Sequence, residues 1–400
     1  MINKNKISKS HWLGRLWSKA QPYYWRGAFI CRNIRPLIRL ARSNPRGHCY
    51  QERKPLPRRF FELLYATVIF KNTPDAYLAF NCDLRRRRIR ILRPAYFHSV
   101  RDSYGQGTCY ADTSSRNGQE HAQSLTDKLD FYFKVAEQGV PTAPVIGTLH
   151  RGAFVPDGQH AKEPFFKNDP DVLSGEEIIA KPQFGQQGKQ IFCIGVRSDY
   201  GQPSFDIPNE LEMASYDSPF VVQRKIYNHP VLERIHKNSL NTLRIVTGID
   251  GSRNVVPLVA VLRIGARGAI TDNARDGRVI IGVDLVGGAT RDTGFWIHGF
   301  EVTACERHPD SGAVLGGVKI PFWTSVLQVA EAAHRDVFPG VRTIGWDIAI
   351  SPQGPYLIEG NWDWGCHRAA WVEPEIIGRV RDFAENVVAA EALGESYASV

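Results

Sequence analysis

The segment GWDIAISPQGPYLIEGN, residues 345–361, constrains the chain more than any other stretch. Ser-Pro-Gln-Gly is a turn signature, and it separates two apolar runs that read as strands, TIGWDIAI and PYLIEGN. An antiparallel hairpin follows, with Asp347, Glu359 and Asn361 set among residues that want burial. Glu359 and Asn361 are two apart and share a face of their strand. The place of Asp347 depends on the loop. Unpaired residues 351–355 would put it opposite Glu359, whereas a shorter loop, 351–354, would send it to the other face. In the first case two carboxylates and an amide oxygen occupy one small volume. Like charges so close repel unless a cation lies between them, and an all-oxygen set suits Mg²⁺ or Mn²⁺ with substrate phosphates as further ligands. A solvated hairpin end is the plain alternative.

A phosphate needs cations and amide donors, and IIAKPQFGQQGKQIF (178–192) offers both. Lys181 ends an apolar strand, where an ammonium without an anion is costly. Gly185 and Gly188 permit a loop whose backbone amides turn inward, with Lys189 beside them. The spacing is not that of a Walker loop, and an ordinary hairpin turn would also explain it. Lys128 falls in the first turn of a helix expected over 127–138, capped by Ser124 or Thr126 and stopped by Gly139 and Pro141. A cation there opposes the helix dipole, so it either faces an anion or is simply exposed. Arg244 in NTLRIVT and Arg263 in VAVLRIG interrupt apolar strands. A buried guanidinium needs acceptors, which phosphate oxygens, the Asp347 and Glu359 carboxylates, or a structural ion pair would supply.

Helices and strands alternate irregularly along the rest of the chain, with several hairpins, so the fold class is α+β (mixed α/β) rather than a parallel doubly wound sheet. Further helices are expected over 321–336 and 373–393. With 400 residues, 43% of them hydrophobic, two or three lobes are expected. No apolar run is long enough to span a membrane and MINKNKISKS lacks the features of a secretory signal, so a cytoplasmic protein is expected. The 7 scattered cysteines contain no C-x-x-C pair, which argues against a disulfide framework and a zinc site. Histidines 229, 236, 308 and 367 read as structural or substrate-adjacent, since no Ser-His-Asp or Cys-His arrangement emerges.

Charge is uneven. The first hundred residues hold 22 Lys and Arg against Glu52, Glu62, Asp75 and Asp83, a net of +18; the whole chain carries +9, so the remainder carries −9. WRGAFICRNIRPLIRLARS (25–43) reads as a basic amphipathic helix broken near Pro36. Either its apolar stripe packs on the body and its arginines are solvated, or it meets an anionic membrane surface or an acidic partner. LRRRRIRIL (84–92) poses the same choice. Nucleic acid is disfavoured, because no recognisable module with interleaved aromatics accompanies the charge.

Taken together and in order, Lys128, the strand–loop–strand around Lys181, VVQRKI, HP, NTLRI, LRIG with TDN, and Asp-x₁₁-Glu-x-Asn resemble the ATP-grasp superfamily. The likeness is closer to its sugar-transfer associated branch, which is related to the alpha-L-glutamate ligases, and it spans roughly residues 120–370. The resemblance implies two α+β lobes clamping ATP: a small lobe over 121–215 with the phosphate loop and a large lobe over 216–400 with the Mg²⁺ site, after a basic, largely helical region over 1–120. By position it implies that Lys128 and Lys181 contact ATP phosphates beneath loop 184–189, including Gly185, Gly188 and Lys189. Gln223, Arg224, Lys225 and Ile226 would form the adenine segment, and Asn273 and Gly277 would approach the acceptor. Asp347, Glu359 and Asn361 would hold two Mg²⁺ (or Mn²⁺), while Arg244 and Arg263, with Lys181, would stabilise the transferring phosphoryl group. Two departures stand out. Gln223 occupies a place where many relatives carry an acid, and the first hundred residues show no βαβ lobe. The implied activity is an ATP-dependent carboxylate–amine ligase acting through an acylphosphate on small-molecule or glycan-linked carboxylate and amine substrates. A kinase of a hydroxyl acceptor, and a non-catalytic nucleotide-binding accessory of polysaccharide assembly, are the alternatives. The implied location is cytoplasmic, with the basic region suited to a peripheral position at the inner membrane face.

Overall fold

Two antiparallel sheets organise the computed structural model, as the hairpin-rich reading expects. It describes residues 34–69, 76–89, 116–156, 177–184, 190–199, 202–266, 277–298, 301–373 apart from 363 and 365, and single positions from 376 to 383. The smaller sheet contains β1 (Val145–His150), β2 (Ala153–Pro156), β3 (Glu177–Pro182), β4 (Phe192–Asp199), β5 (Gln202–Asp206) and β6 (Phe220–Arg224), in the order β2-β1-β6-β3-β4-β5. The larger contains β7 (Thr242–Ile249), β8 (Val255–Gly265), β9 (Arg278–Val283), β10 (Thr290–His298), β11 (Glu301–Cys305), β12 (Thr343–Ser351) and β13 (Gly354–Asn361), in the order β11-β10-β9-β8-β7-β12-β13.

Helices α1 (Leu56–Val68) and α2 (Ala76–Ala79) precede the sheets, and α3 (Arg116–Thr126) and α4 (Lys128–Glu137) lead into β1. Helix α5 (Asn209–Asp217) precedes β6, α6 (Trp323–Ala332) precedes β12, and α7 (Cys366–Val372) follows β13. The expected helix over 321–336 is α6 continued by a π turn, Ala333–Val337. Of the closing helix expected over 373–393, positions 376, 380, 382 and 383 are helical; the others, 373 apart, lie outside the described residues. No helix among the described residues is long and apolar enough to cross a membrane.

The near-continuous apolar run VVPLVAVLRIG becomes β8 because both faces of the larger sheet are covered. Val259 and Val261 join a core shared with Leu37, Leu40, Leu63 and Tyr77 of the N-terminal region and Trp371 of α7. Ala260, Leu262 and Ile264 point the other way, into a core with Val326, Val329 and Ala330 of α6.

This settles how the basic amphipathic helix is used over its described part. Residues 34–42 are continuously helical through Pro36, so the expected break is absent from the described residues. Leu37 and Leu40 are buried against the sheet, while Arg35, Arg39 and Arg42 remain exposed. Of the expected stripe Leu37 and Leu40 are core, Ile38 is half-buried and Ile34 is exposed, and the three arginines face solvent. Residues 25–33 lie outside the described set. Within 84–92, Leu84 bridges Arg53 and a turn follows at Arg85 and Arg86; residues 90–92 are not described. Arg46 fastens this region to the larger lobe: its guanidinium donates to the carbonyls of Leu78, Ala79, Ala370 and Trp371 and lies over the rings of Phe295 and Trp371. Burial pushes it down to about 10. Among the described residues Cys49, Cys82, Cys193 and Cys305 are free thiols.

Candidate active site

The hairpin at 343–361 forms with neither of the loops weighed from the sequence. Ser351 pairs with Gly354, leaving a two-residue turn, and Ile350, Ala349 and Ile348 pair with Pro355, Tyr356 and Leu357. Continued without change, that register would set Asp347 opposite Ile358 and turn Glu359 to the other face. A bulge intervenes between Asp347 and Ile348, and beyond it Asp347 pairs with Glu359 and Gly345 with Asn361. The extra residue restores the parity that the short turn would have broken.

On its other side Asp347 pairs with Arg244 of β7, so Arg244, Asp347 and Glu359 form one row across three adjacent strands. The Asp347 carboxylate is 2% exposed. Arg244 donates to it from Nε (2.5 Å to Oδ1) and Nη2 (3.0 Å to Oδ2), a bidentate fork. Arg263, on β8, donates from Nη2 to the same Oδ2 at 3.0 Å and to Thr242 Oγ1 at 3.0 Å. Burial alone would push the Asp347 carboxyl up, but the two guanidiniums outweigh it and hold the group well below the usual carboxylate range. Glu359 shifts the opposite way. Its burial, the neighbouring Asp347 charge and a hydrogen bond between the two carboxyls push it up, against the pull of Lys128 and Lys181. One acid is held ionised, and its partner is made reluctant to ionise.

The two lysines come from β3 of the smaller sheet and from the start of α4. Lys181 lies in β3 opposite Val221 and is buried, 8% exposed. Burial pushes its ammonium down to about 8, and the Glu359 carboxylate pulls it partly back. Lys128 is brought alongside by the start of α4. The Lys128 amide donates to the Gln183 carbonyl just after β3, and Gln183 Nε2 donates to the Asp127 carboxylate at 2.9 and 3.0 Å. Burial lowers Lys128 too, with Glu359 again the main opposing influence. The helix cap is Asp127, which accepts from the amides of Leu129 and Asp130, rather than Ser124 or Thr126. Those two residues belong to α3, where their hydroxyls donate to the carbonyls of Glu120 and Gln123. Gly139, at φ +70, ends the helix as expected. The segment after it joins the lobes, since Leu357 N donates to the Pro141 carbonyl and Arg224 N to the Pro144 carbonyl.

The segment expected to meet adenine, residues 223–226, lies at the end of β6 and in the connection after it. Gln223 is buried and donates from Nε2 to the Ala143 carbonyl at 2.9 Å. Arg224 is half-buried, Lys225 pairs with Glu177 and lies over the Tyr227 ring, and Ile226 is half-buried in the connection that follows. Gly185, Gly188, Lys189 and Asn273 lie outside the described residues. Asn361, on the last position of β13, donates from Nδ2 to the Gly345 carbonyl at 3.3 Å and to Glu359 Oε1 at 3.4 Å.

Asp127, Gln183 and Thr242 belong to the framework of the site and were not singled out from the sequence. Asp127 was within reach, because Asp directly before a helical run is a strong capping signal. Of the histidines, His229 caps the turn Pro230–Glu233 through Nδ1. His236 and His308 are buried neighbours, bonded to Ser239 and to the Gly265 carbonyl. All three read as structural.

Among the described residues no group of three or more His, Cys, Asp and Glu is placed to hold a metal. The candidate set is smaller and harder in character: two carboxylates, Asp347 and Glu359, and the Asn361 amide. Asp347 already accepts three guanidinium N–H bonds and shares a hydrogen bond with Glu359. A carboxylate offers about four lone-pair sites, so Asp347 has little left over. The contact between the two acids, with Asn361 beside it, is therefore the place the expected divalent cation would have to occupy.

A comparison with curated proteins returned no match. Solved structures similar to the chain include a D-alanine–D-alanine ligase from Bacillus anthracis, 13% identical, covering 68% of this chain and 70% of that one with a TM-score of 0.37. A phosphoribosylamine–glycine ligase from Thermotoga maritima is 14% identical and covers 68% and 59%, also at 0.37. The biotin carboxylase domain of the Hydrogenobacter thermophilus 2-oxoglutarate carboxylase is 14% identical and covers 66% and 46%, at 0.34. The family model described as sugar-transfer associated ATP-grasp matches residues 112–372, which takes in both sheets and every candidate site residue, and the chain belongs to that family.

Proposed function

We propose that the protein is an ATP-dependent carboxylate–amine ligase. The observation that carries this reading is the charge balance of the site. Four cationic groups, Lys128, Lys181, Arg244 and Arg263, converge on two carboxylates, and only Asp347 is held firmly ionised. Excess positive charge in a buried place requires an anion, and the triphosphate of a nucleotide supplies several. Mg²⁺, held by Glu359, Asp347 and Asn361, would neutralise phosphate charge when bound.

Each protein group then has a part that follows from its setting. The Lys181 and Lys128 ammoniums bind phosphate oxygens, which restores the proton affinity that burial takes from them. Asp347 fixes Arg244 and Arg263 in place before any substrate arrives, so their positive charge needs no reorganisation as negative charge spreads over the transferring phosphoryl oxygens. No protein nucleophile is needed. A substrate carboxylate oxygen attacks the γ-phosphorus, the bond to ADP breaks, and an acylphosphate forms. An amine nitrogen then attacks the acyl carbon and expels phosphate, leaving an amide after loss of a proton. The family's sugar-transfer association supports carboxylate or amine substrates carried on sugars or glycan precursors.

The test is ATP turnover by the full chain against a panel of amino acids, amino sugars and uronic acids, with Glu359→Gln as the inactive control. ADP and phosphate should appear together, and only when an acid and an amine are both supplied. ADP without free phosphate, with a hydroxyl compound as acceptor, would make the enzyme a kinase instead. Turnover unaffected by Glu359→Gln would remove the basis for either reading.

A further inference from the structure

Lys128 opens α4 and sets its charge against the positive end of the helix dipole, so nothing in the helix itself favours a cation at that position. Its place is fixed from two sides, by Asp127 before it and Gln183 across from it. The Lys128 amide donates to the Gln183 carbonyl at 3.2 Å, and Gln183 Nε2 donates in return to Asp127 Oδ1 and Oδ2 at 2.9 and 3.0 Å. Main chain and side chain together close a ring between residues 127–128 and 183. The Asp127 carboxylate also accepts from the amides of Leu129 and Asp130, so one group caps the helix and holds it to the strand.

Gln183 is held in turn. Pro182 pairs with Phe220, and the Gln183 amide donates to the Pro219 carbonyl at 2.9 Å, one step further along the same pairing of β3 with β6. Gln183 lies two residues beyond Lys181, so the start of α4 is tied to the strand that carries the second lysine. Both ammoniums feel the Glu359 carboxylate. The residue type at 183 matters as well. A lysine or arginine there would cancel the Asp127 charge, whereas glutamine takes the carboxylate and leaves its charge beside Lys128, where it favours the ammonium against burial.

We propose that Asp127 and Gln183 are positioning residues for nucleotide binding: their contact holds Lys128 beside Lys181, so that two ammoniums from separate elements meet the same phosphates. The proposal rests on the ligase reading only in that both place nucleotide phosphates on these lysines, and it is independent of acceptor and product. Neither residue touches the reacting atoms. Both act through Lys128.

The experiment is calorimetric titration of the full chain with ATP and Mg²⁺, without acceptor substrates, for the parent, Gln183→Leu, Lys128→Met and the double variant. Lys128→Met should weaken binding about tenfold or more and Gln183→Leu about fivefold or more, each through loss of a contact with a charged group. In the Lys128→Met background Gln183→Leu should cost less than about twofold, because the group it positions is gone. Gln183→Glu, which sets carboxylate against carboxylate, should also weaken binding. Adding Asp127→Asn to it should restore most of the affinity, since the Asn oxygen still caps the helix and its NH₂ donates to the new carboxylate. Melting temperatures separate lost folding from lost positioning, and the swapped pair serves if Gln183→Leu fails to fold. Parental affinity in Gln183→Leu would overturn the proposal and leave the nucleotide reading standing. So would an equal loss with and without Lys128, which would show that Gln183 acts by another route. A parent that binds no ATP, or Lys128→Met that binds it as tightly as the parent, would overturn the nucleotide reading and the proposal with it.

Discussion

Replacing Asp347 by asparagine tests the charge architecture at its centre. The carboxylate is 2% exposed and accepts three guanidinium N–H bonds, two from Arg244 and one from Arg263. An amide keeps the shape but presents only one acceptor. With its oxygen at the Oδ2 position it retains the bonds from the two Nη2 atoms, and its NH₂ then faces Arg244 Nε, donor against donor. At least one charge-assisted bond is lost, worth about 1.5–3 kcal/mol, and two largely buried guanidiniums lose their counter-charge. Removing one partner of a buried ion pair costs about 3–5 kcal/mol, so Asp347→Asn should destabilise the fold by about 3 kcal/mol or more. The assay is urea unfolding at pH 7 and again in acid. The Asp347 acidity is raised by folding, so its contribution is fully present above the ordinary aspartate range, near pH 3.9, and fades as pH falls through that range toward the lower folded value. The parent should therefore lose stability relative to the variant below about pH 4. A loss under about 1 kcal/mol at pH 7, or a difference that does not shrink in acid, would show that the arginines find other acceptors and that Asp347 does not anchor them.

Glu359→Gln should do the reverse: turnover falls about a hundredfold or more, while the melting temperature stays level or rises, because folding disfavours the charge that the amide removes. Gly360→Ala should destabilise by about 1–3 kcal/mol in the same unfolding assay, since its Cβ would lie 2.5 Å from Leu125 Cδ2 and 2.8 Å from Trp346 Cζ3. His334, fully buried between the Thr247 hydroxyl and the Val341 carbonyl, is pushed down to about 4 by burial. The unfolded chain then binds the extra proton first, so stability should fall as pH drops from about 6.5 to about 4, by up to about 3 kcal/mol, and a pH series of unfolding curves on His334→Gln should lose that slope.

Much of the fold and part of the site could be read in the sequence because they depend on local pattern. The apolar runs at 177–182, 242–249, 255–265 and 343–361 became strands. Lys181 announced itself as a charge inside one of them, and so did Arg244, Arg263 and Asp347. What could not be read depends on contacts between distant segments. Nothing local says that Leu37 and Leu40 pack behind the strand carrying Val261, which decides that the helix around Pro36 spends these two residues of its apolar stripe on the core. Nor does anything local say that Asp127 would take the Gln183 amide and so carry Lys128 to Lys181.

The hairpin at 343–361 shows the same division within a single element. Strand periodicity correctly pairs Glu359 with Asn361 on one face, because a period of two is a property of each strand alone. The face of Asp347 is a property of two strands and their turn. Ser351 favours the tight turn: its hydroxyl donates to the Gly354 carbonyl and accepts from the Gln353 amide, and the two-residue loop that results has the wrong parity for the site. Turn chemistry and charge placement make conflicting demands, and the bulged Ile358 satisfies both, at the cost of one interrupted ladder position beside the carboxylates. Losing the bulge while keeping Ile358 would set Ile358 opposite Asp347 and turn Glu359 to the far face, separating the two acids without altering a single charged side chain, whereas deletion of Ile358 would leave Glu359 opposite Asp347 in an unbroken ladder.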